Sequence, residues 1–161
     1  MKKITLQTEI EVFENLFELP KKDALLMQAA LKSMESAYAP YSNFKVGAAL
    51  LLDNGEIVSG NNQENAAYPS GLCAERVAIF YAGAKYPNQK ILKMAIAASS
   101  DSKPTHVPVP PCGACRQSVL EYETKQKQKI EILFMGKEGS VAKAAGMIDL
   151  LPLGFDSTFL S

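Results

Sequence analysis

Two short stretches decide how this chain is read. One is Cys73-Ala74-Glu75-Arg76-Val77-Ala78-Ile79-Phe80. The other begins 38 residues after Cys73 and runs Pro111-Cys112-Gly113-Ala114-Cys115-Arg116-Gln117. Each stands where an extended or loop segment hands over to a predicted helix. From Ala74 to about Ala84 the residues AERVAIFYAGA are apolar on most faces, which marks a largely buried helix. A second helix is predicted from Gly113 to about Thr124. Moving outward, Lys45 to Leu52 (KVGAALLL) reads as a buried strand, and Glu56 to Gly60 as its hairpin partner. Asp53-Asn54-Gly55 lies between them, and Asn-Gly between apolar runs is a strong hairpin signal. Ile91 to Ala98 and Ile130 to Met135 read as further strands. The segment Asp101 to Pro111 holds four prolines and is an irregular loop. Upstream, Leu26, Ala30, Met34 and Ala37 recur at helical spacing from Lys21 to about Tyr38, and Pro40 ends that helix. Ile4, Leu6, Thr8, Ile10 and Val12 alternate with polar residues, the period of a half-buried strand. Asp149 to Phe159 is rich in turn residues. Strands alternating with helices place the chain in the α/β class, with a mixed sheet in a sandwich.

Composition narrows the function. The chain has 161 residues, enough for one domain with a real core. Lys and Arg together number 17, as do Asp and Glu, so the formal charge is zero. Proteins that grip phosphate backbones normally carry a basic excess, so nucleic acid is not the expected partner. No apolar run approaches the ~20 residues of a membrane span. The N-terminus alternates where a signal peptide would be continuously apolar. A cytoplasmic protein is expected. Three cysteines and one histidine are present, and an odd cysteine count argues against a disulfide framework.

Cys112 and Cys115 stand at i and i+3 on a helix's first turn, a spacing that aims two thiols at one atom. Helix N-termini favour thiolate over thiol. Cys73, arriving on a second helix start, would supply a third ligand. Three protein ligands and an open fourth position mark a catalytic zinc site, whereas a structural site is closed by four. Glu75, held beside such a metal, is placed for general acid–base work. Taken alone, C-x-x-C is equally a redox dithiol or half of a structural zinc site. His106, in the proline-rich loop, is not needed as a ligand. The joint pattern C-A-E…P-C-x-x-C is the cysteine version of the H-x-E…P-C-x-x-C signature of zinc deaminases.

The chain resembles the small, homotetrameric type of cytidine deaminase. The resemblance is carried by Tyr38-Ala39-Pro40-Tyr41-Ser42-Asn43-Phe44-Lys45-Val46-Gly47-Ala48-Ala49, by Gly60-Asn61-Asn62-Gln63-Glu64-Asn65-Ala66-Ala67-Tyr68, by CAER, by PCGACRQ and by the terminal LLPLGF. It runs from about residue 38 to 155. It implies a three-layer α/β/α sandwich around a central mixed sheet, with residues 20–161 as the deaminase domain. Residues 1–19, which match no block, are an extension carrying an extra strand. It implies one zinc per subunit on Cys73, Cys112 and Cys115. Water activated there attacks C4 of cytosine while Glu75 protonates N3 and then the leaving amino group.

By the same resemblance Asn62 and Glu64 bind the ribose, Phe44 and Phe155 stack on the base, and Ala74 and Cys112 offer backbone groups to its amide edge. Phe155 comes from a neighbouring subunit, so the sites of the homotetramer are shared. Three thiolates on one zinc leave a negative charge in excess, and Arg76 and Arg116 are the residues expected to offset it. A carboxylate in the ribose pocket repels a 5′-phosphate, which points to a nucleoside. The implied activity is deamination of cytidine and 2′-deoxycytidine in pyrimidine salvage. An aminonucleoside-antibiotic deaminase of the blasticidin type is the alternative on the same fold. Gln117 is left without a role.

Overall fold

In a strand, successive side chains point to opposite faces, and the central strands of this chain are apolar at consecutive positions. They therefore need cover on both sides. The computed structural model describes residues 1–160. Its principal elements are β1 (Ile10–Phe13), α1 (Lys21–Glu35), β2 (Phe44–Leu52), β3 (Ile57–Asn61), α2 (Ala74–Lys85), β4 (Ile91–Ser100), α3 (Gly113–Gln126), β5 (Glu131–Met135) and β6 (Val141–Ala144). The strands form one sheet in the order β1-β6-β5-β4-β2-β3. Only β4 and β5 pair in parallel, and the other ladders are antiparallel.

The two faces carry separate cores. Ala48, Leu50, Leu52, Met94, Ile96, Ile132 and Phe134 pack with Ala74, Ala78, Ile79 and Ala82 of α2 and Val119 of α3. The alternate residues Ala49, Ala95, Ala97, Leu133 and Met135 pack with Leu26, Met27, Ala30 and Met34 of α1. The result is the expected three-layer sandwich, with α1 on one face and α2 and α3 on the other. Two glycines set the helix spacing. A Cβ at Gly47 of β2 would stand 2.1 Å from the Ala30 carbonyl oxygen of α1. At Gly60 of β3 it would stand 2.6 Å from the Ala78 nitrogen and 2.9 Å from the Ala74 oxygen. Gly60 thus lets the first turns of α2, which follow Cys73 and carry Glu75, lie directly on the sheet.

The expected hairpin is present: Leu51 pairs with Ile57 across a turn with Gly55 at φ +88°. Three details differ from the sequence reading. Helix α1 stops at Glu35 rather than Tyr38, because Tyr38 donates its N–H to Asn62 O at 3.0 Å and forms a bridge with Gln63 instead. The alternation from Ile4 to Val12 becomes a laddered strand only from Ile10, since residues 1–9 meet no partner strand. Strand β6 was not foreseen: Val141-Ala142-Lys143-Ala144 is too short to show a period, and it is fixed by pairing with both β5 and β1.

Candidate metal and substrate site

Cys73 and Cys112 are the residues immediately before α2 and α3, both with extended backbone, and neither makes a side-chain capping bond. The orphan N–H groups and positive dipole ends of both helices therefore point toward the sulfurs. The Sγ atoms of Cys73, Cys112 and Cys115 lie within 4.8 Å of one another. Those of Cys73 and Cys112 are 3.8 Å apart. That is far beyond the ~2.05 Å of a disulfide. It equals the roughly 3.8 Å edge of a tetrahedron built from Zn–S bonds of about 2.3 Å. Cys115 is buried, Cys73 half-buried and Cys112 exposed, so the cluster opens to one side. The donor set and its spacing fit a zinc ion with one position left for a small ligand.

The electrostatics suit a cation held by the three sulfurs. A hydrogen bond from Cys115, helped by Cys112 and Arg76, draws the Cys73 thiol down to about 5 against the effect of burial. Cys115 is pushed up in turn, first by that hydrogen bond and then by burial and Glu75. Glu75 is 4% exposed, and its Oε2 has no hydrogen-bond partner. Burial raises its pKa, and the Cys73 charge adds to this. Burial opposes the charge on Arg76, yet hydrogen bonding to Cys73 and the charges of Cys73 and Cys115 hold its pKa above the ordinary value. Its Nε is also buried and unpartnered. Buried, unpartnered polar groups of both signs beside three sulfurs fit a site that binds a metal and a polar ligand.

Arg116 behaves differently. Its Nε donates to Pro111 O and its Nη1 to Leu150 O, each at 2.8 Å. It ties the loop before Cys112 to the C-terminal segment.

Beside the sulfurs lies a cavity of about 630 Å³. Phe44, Asn62, Glu64, Cys73, Glu75 and Cys112 line it together, with Val109 and Pro110 from the proline-rich loop. Asn62 is buried and locked to the start of β2. Its Oδ1 accepts from Val46 N at 2.8 Å, and its Nδ2 donates to Phe44 O at 2.9 Å. One lone pair and one N–H remain for a ligand. Glu64 clasps the turn before β2: Oε2 accepts from Tyr41 N at 2.9 Å and Ser42 N at 3.3 Å, and Oε1 accepts from the Ser42 hydroxyl. These bonds, the Ser42 hydroxyl first, hold its pKa below the usual carboxylate range. Asn43, at φ 55°, makes the left-handed step that brings Phe44 to the cavity.

Ala74 and Phe155 do not line this cavity within the single chain. Ala74 is fully buried under the first turn of α2 and is not part of the cavity wall. Phe155 is exposed outside the cavity, stacked on Phe159 at 5.5 Å between ring centres. Sequence reasoning missed Ser42, although it lies in a quoted block. It also missed the work of Gln117, whose Nε2 donates to Phe155 O at 2.6 Å and anchors the terminal strap. A lone Gln at the end of a motif carries no signal of a partner 38 residues away. His106 is exposed and pairs with Glu138 at 3.1 Å, apart from the sulfur cluster.

Comparison with known proteins agrees with this geometry. Residues 20–129 match the family described as the cytidine and deoxycytidylate deaminase zinc-binding region. The chain belongs to that family, and the Cys73, Cys112 and Cys115 cluster is consistent with one zinc per chain. It is 47% identical over 97 residues to a cytidine deaminase of Halalkalibacterium halodurans, covering 60% of this chain and 69% of that protein. It is 36% identical over 122 residues to the cytidine deaminase of Mycoplasma genitalium, covering 76% and 86%. The crystal structure of cytidine deaminase from Burkholderia pseudomallei superposes with a TM-score of 0.70 at 40% identity, covering 81% of this chain and 97% of that one.

Proposed function

We propose that this chain is a zinc-dependent hydrolase that deaminates cytidine and 2′-deoxycytidine to uridine and 2′-deoxyuridine, releasing ammonia. The observation that carries this is the meeting of three sulfurs within 4.8 Å of one another beside an unpartnered, buried Glu75, in a chain of the deaminase family. Cys73, Cys112 and Cys115 would hold the zinc, which would supply Lewis-acid activation of water. Glu75, which lines the cavity, carries the protons: it serves N3 of the base first and the departing amino group second. Arg76 offsets the sulfur charge. Phe44 holds the base by its ring face, and the backbone at Cys112 binds the amide edge. Asn62 and Glu64 take the sugar hydroxyls with the hydrogen-bonding capacity left after their bonds to the backbone near β2. Glu64 stays ionised and repels a 5′-phosphate, so a free nucleoside is favoured over a nucleotide or a polynucleotide.

In this reading residues 20–161 are the catalytic unit, and residues 1–19 are an extension that contributes β1. The working form is a homotetramer in which Phe155 of one subunit completes the cavity of a neighbour. That accounts for an exposed aromatic strap anchored by Gln117. The enzyme acts in cytoplasmic pyrimidine salvage. Ultraviolet absorbance of cytidine, followed with and without a chelator, tests the proposal. Loss of absorbance that the chelator abolishes and added zinc restores supports it. Turnover of a blasticidin-type aminonucleoside with none of cytidine would replace it by the antibiotic-deaminase reading.

A further inference from the structure

Strand β1 ends the sheet, and its outer edge meets no strand among the described residues. Natural sheets guard such edges with lysine, proline or a bulge, because an open edge pairs with another chain. This edge is lightly guarded: from Ile4 to Phe13 there is neither lysine nor proline, and only the shortness of β1 and the charges of Glu9 and Glu11 protect it. The opposite edge is managed, since β3 runs on into bridges from Gln63 to Tyr38 and Leu72. Residues 1–9, just ahead of β1, are exposed, alternate in polarity, and pair with nothing in their own chain. Ile4 is 80% exposed and Val12 66%.

The charges choose a partner. We propose that this segment pairs with the same segment of a second copy of the chain, antiparallel, with Thr8 opposite Thr8 on the two-fold axis. In that register Ile4 faces Val12 and Leu6 faces Ile10 on one side, an unbroken apolar row. On the other side Gln7 faces Glu9, Thr5 faces Glu11 and Lys3 faces Phe13, and no like charges are opposed. Registers centred on residues 9 and 10 set Glu9 against itself or against Glu11, which is destabilising in a cross-strand pair. A slip to residue 7 sets Leu6 against Thr8 and Lys2 against Val12. In β1, Ile10 and Val12 lie opposite Ala144 and Ala142 of the buried face, so the joined strands extend that apolar surface. The contact is isologous and closes on itself. It depends on no catalytic property of the chain.

The test is a cysteine scan on the zinc-loaded protein in air. Directly opposed antiparallel residues have Cα atoms about 4.5–5.5 Å apart, within disulfide range. Thr8→Cys is expected to give a covalent dimer as the main species on a non-reducing gel. Thr5→Cys is expected to give no more than the native chain, since its two copies would lie about 20 Å apart. Adding Ile10→Lys to Thr8→Cys is expected to cut cross-linking at least tenfold. All three positions are exposed, so unfolding midpoints should match the native chain. A well-folded Thr8→Cys that stays monomeric on the gel overturns the proposal. So does Thr5→Cys cross-linking as fast as Thr8→Cys.

Discussion

Helices α2 and α3 begin almost alike. Each follows an extended cysteine without a side-chain cap, and each carries an arginine in its first turns, Arg76 and Arg116. Their surroundings separate them. The start of α2 is pressed onto the sheet through Gly60, so Glu75 is sealed in and Arg76 is left facing the sulfurs with an unpartnered Nε. The start of α3 lies under a loop and a terminal strap. Arg116 is used up on Pro111 O and Leu150 O, and its helix offers a second thiol where α2 offers a carboxylate. Under the proposed function this is a division of labour: α2 would carry the reactive acid and the charge balance, whereas the start of α3 supplies two of the three thiols and, through Arg116, holds the C-terminal segment in place.

Removing a sulfur abolishes the distinction altogether. Cys115→Ala takes away the buried member of the cluster. Zinc content by elemental analysis is expected to fall well below one per chain, and turnover to background. The arginines break the comparison most cleanly. Arg76→Gln is expected to lower turnover or zinc affinity about 10–100-fold, as for other groups that tune a metal's ligands, with little change in unfolding midpoint. Arg116→Gln is expected to show the converse. It frees two carbonyls bonded by a charged group and should cost about 1.5–3 kcal/mol in denaturant unfolding. Equal effects of the two substitutions on turnover would refute the division.

Gly60→Ala sharpens the claim that close packing seats α2. Its Cβ would lie 2.6 Å from a backbone nitrogen, so a loss of about 1–3 kcal/mol is expected, with reduced turnover as the Glu75-bearing turn shifts. The smallest effect belongs to the far wall. Ser42→Ala removes the main group lowering the Glu64 pKa. A depressed carboxylate pKa helps the native state above the unfolded value, and that help is lost as pH falls through the folded value. Without Ser42 the loss should come at higher pH. The KM for cytidine should rise a few-fold while kcat holds, and the acid limb of kcat/KM should move upward.

Much of this was legible in residues 73–76 and 111–117, because C-A-E and P-C-x-x-C together match the zinc-deaminase signature, which neither does alone. The sandwich was legible from apolar runs long enough to need cover on both faces, as in β2 and β4. Strand β6 was not, since four residues with two alanines gain their conformation only from neighbours on both sides. The separate tasks of Arg76 and Arg116 were also invisible. Both lie in the first turns of a helix that begins after a cysteine, and only the packing of Gly60 under α2 and the carbonyls of Pro111 and Leu150 tell them apart. Ser42 and Gln117 act through contacts 22 and 38 residues away, distances at which local pattern says nothing.

The central claim is that Glu75 moves protons beside a zinc ion that it does not hold. Zinc content and cytidine turnover measured on one preparation of Glu75→Gln test it directly. The account predicts one zinc per chain, as in the native protein, with kcat lower by about 10²–10⁴-fold, the usual worth of general acid–base catalysis. Native turnover with zinc in place would contradict it, as would loss of the zinc itself.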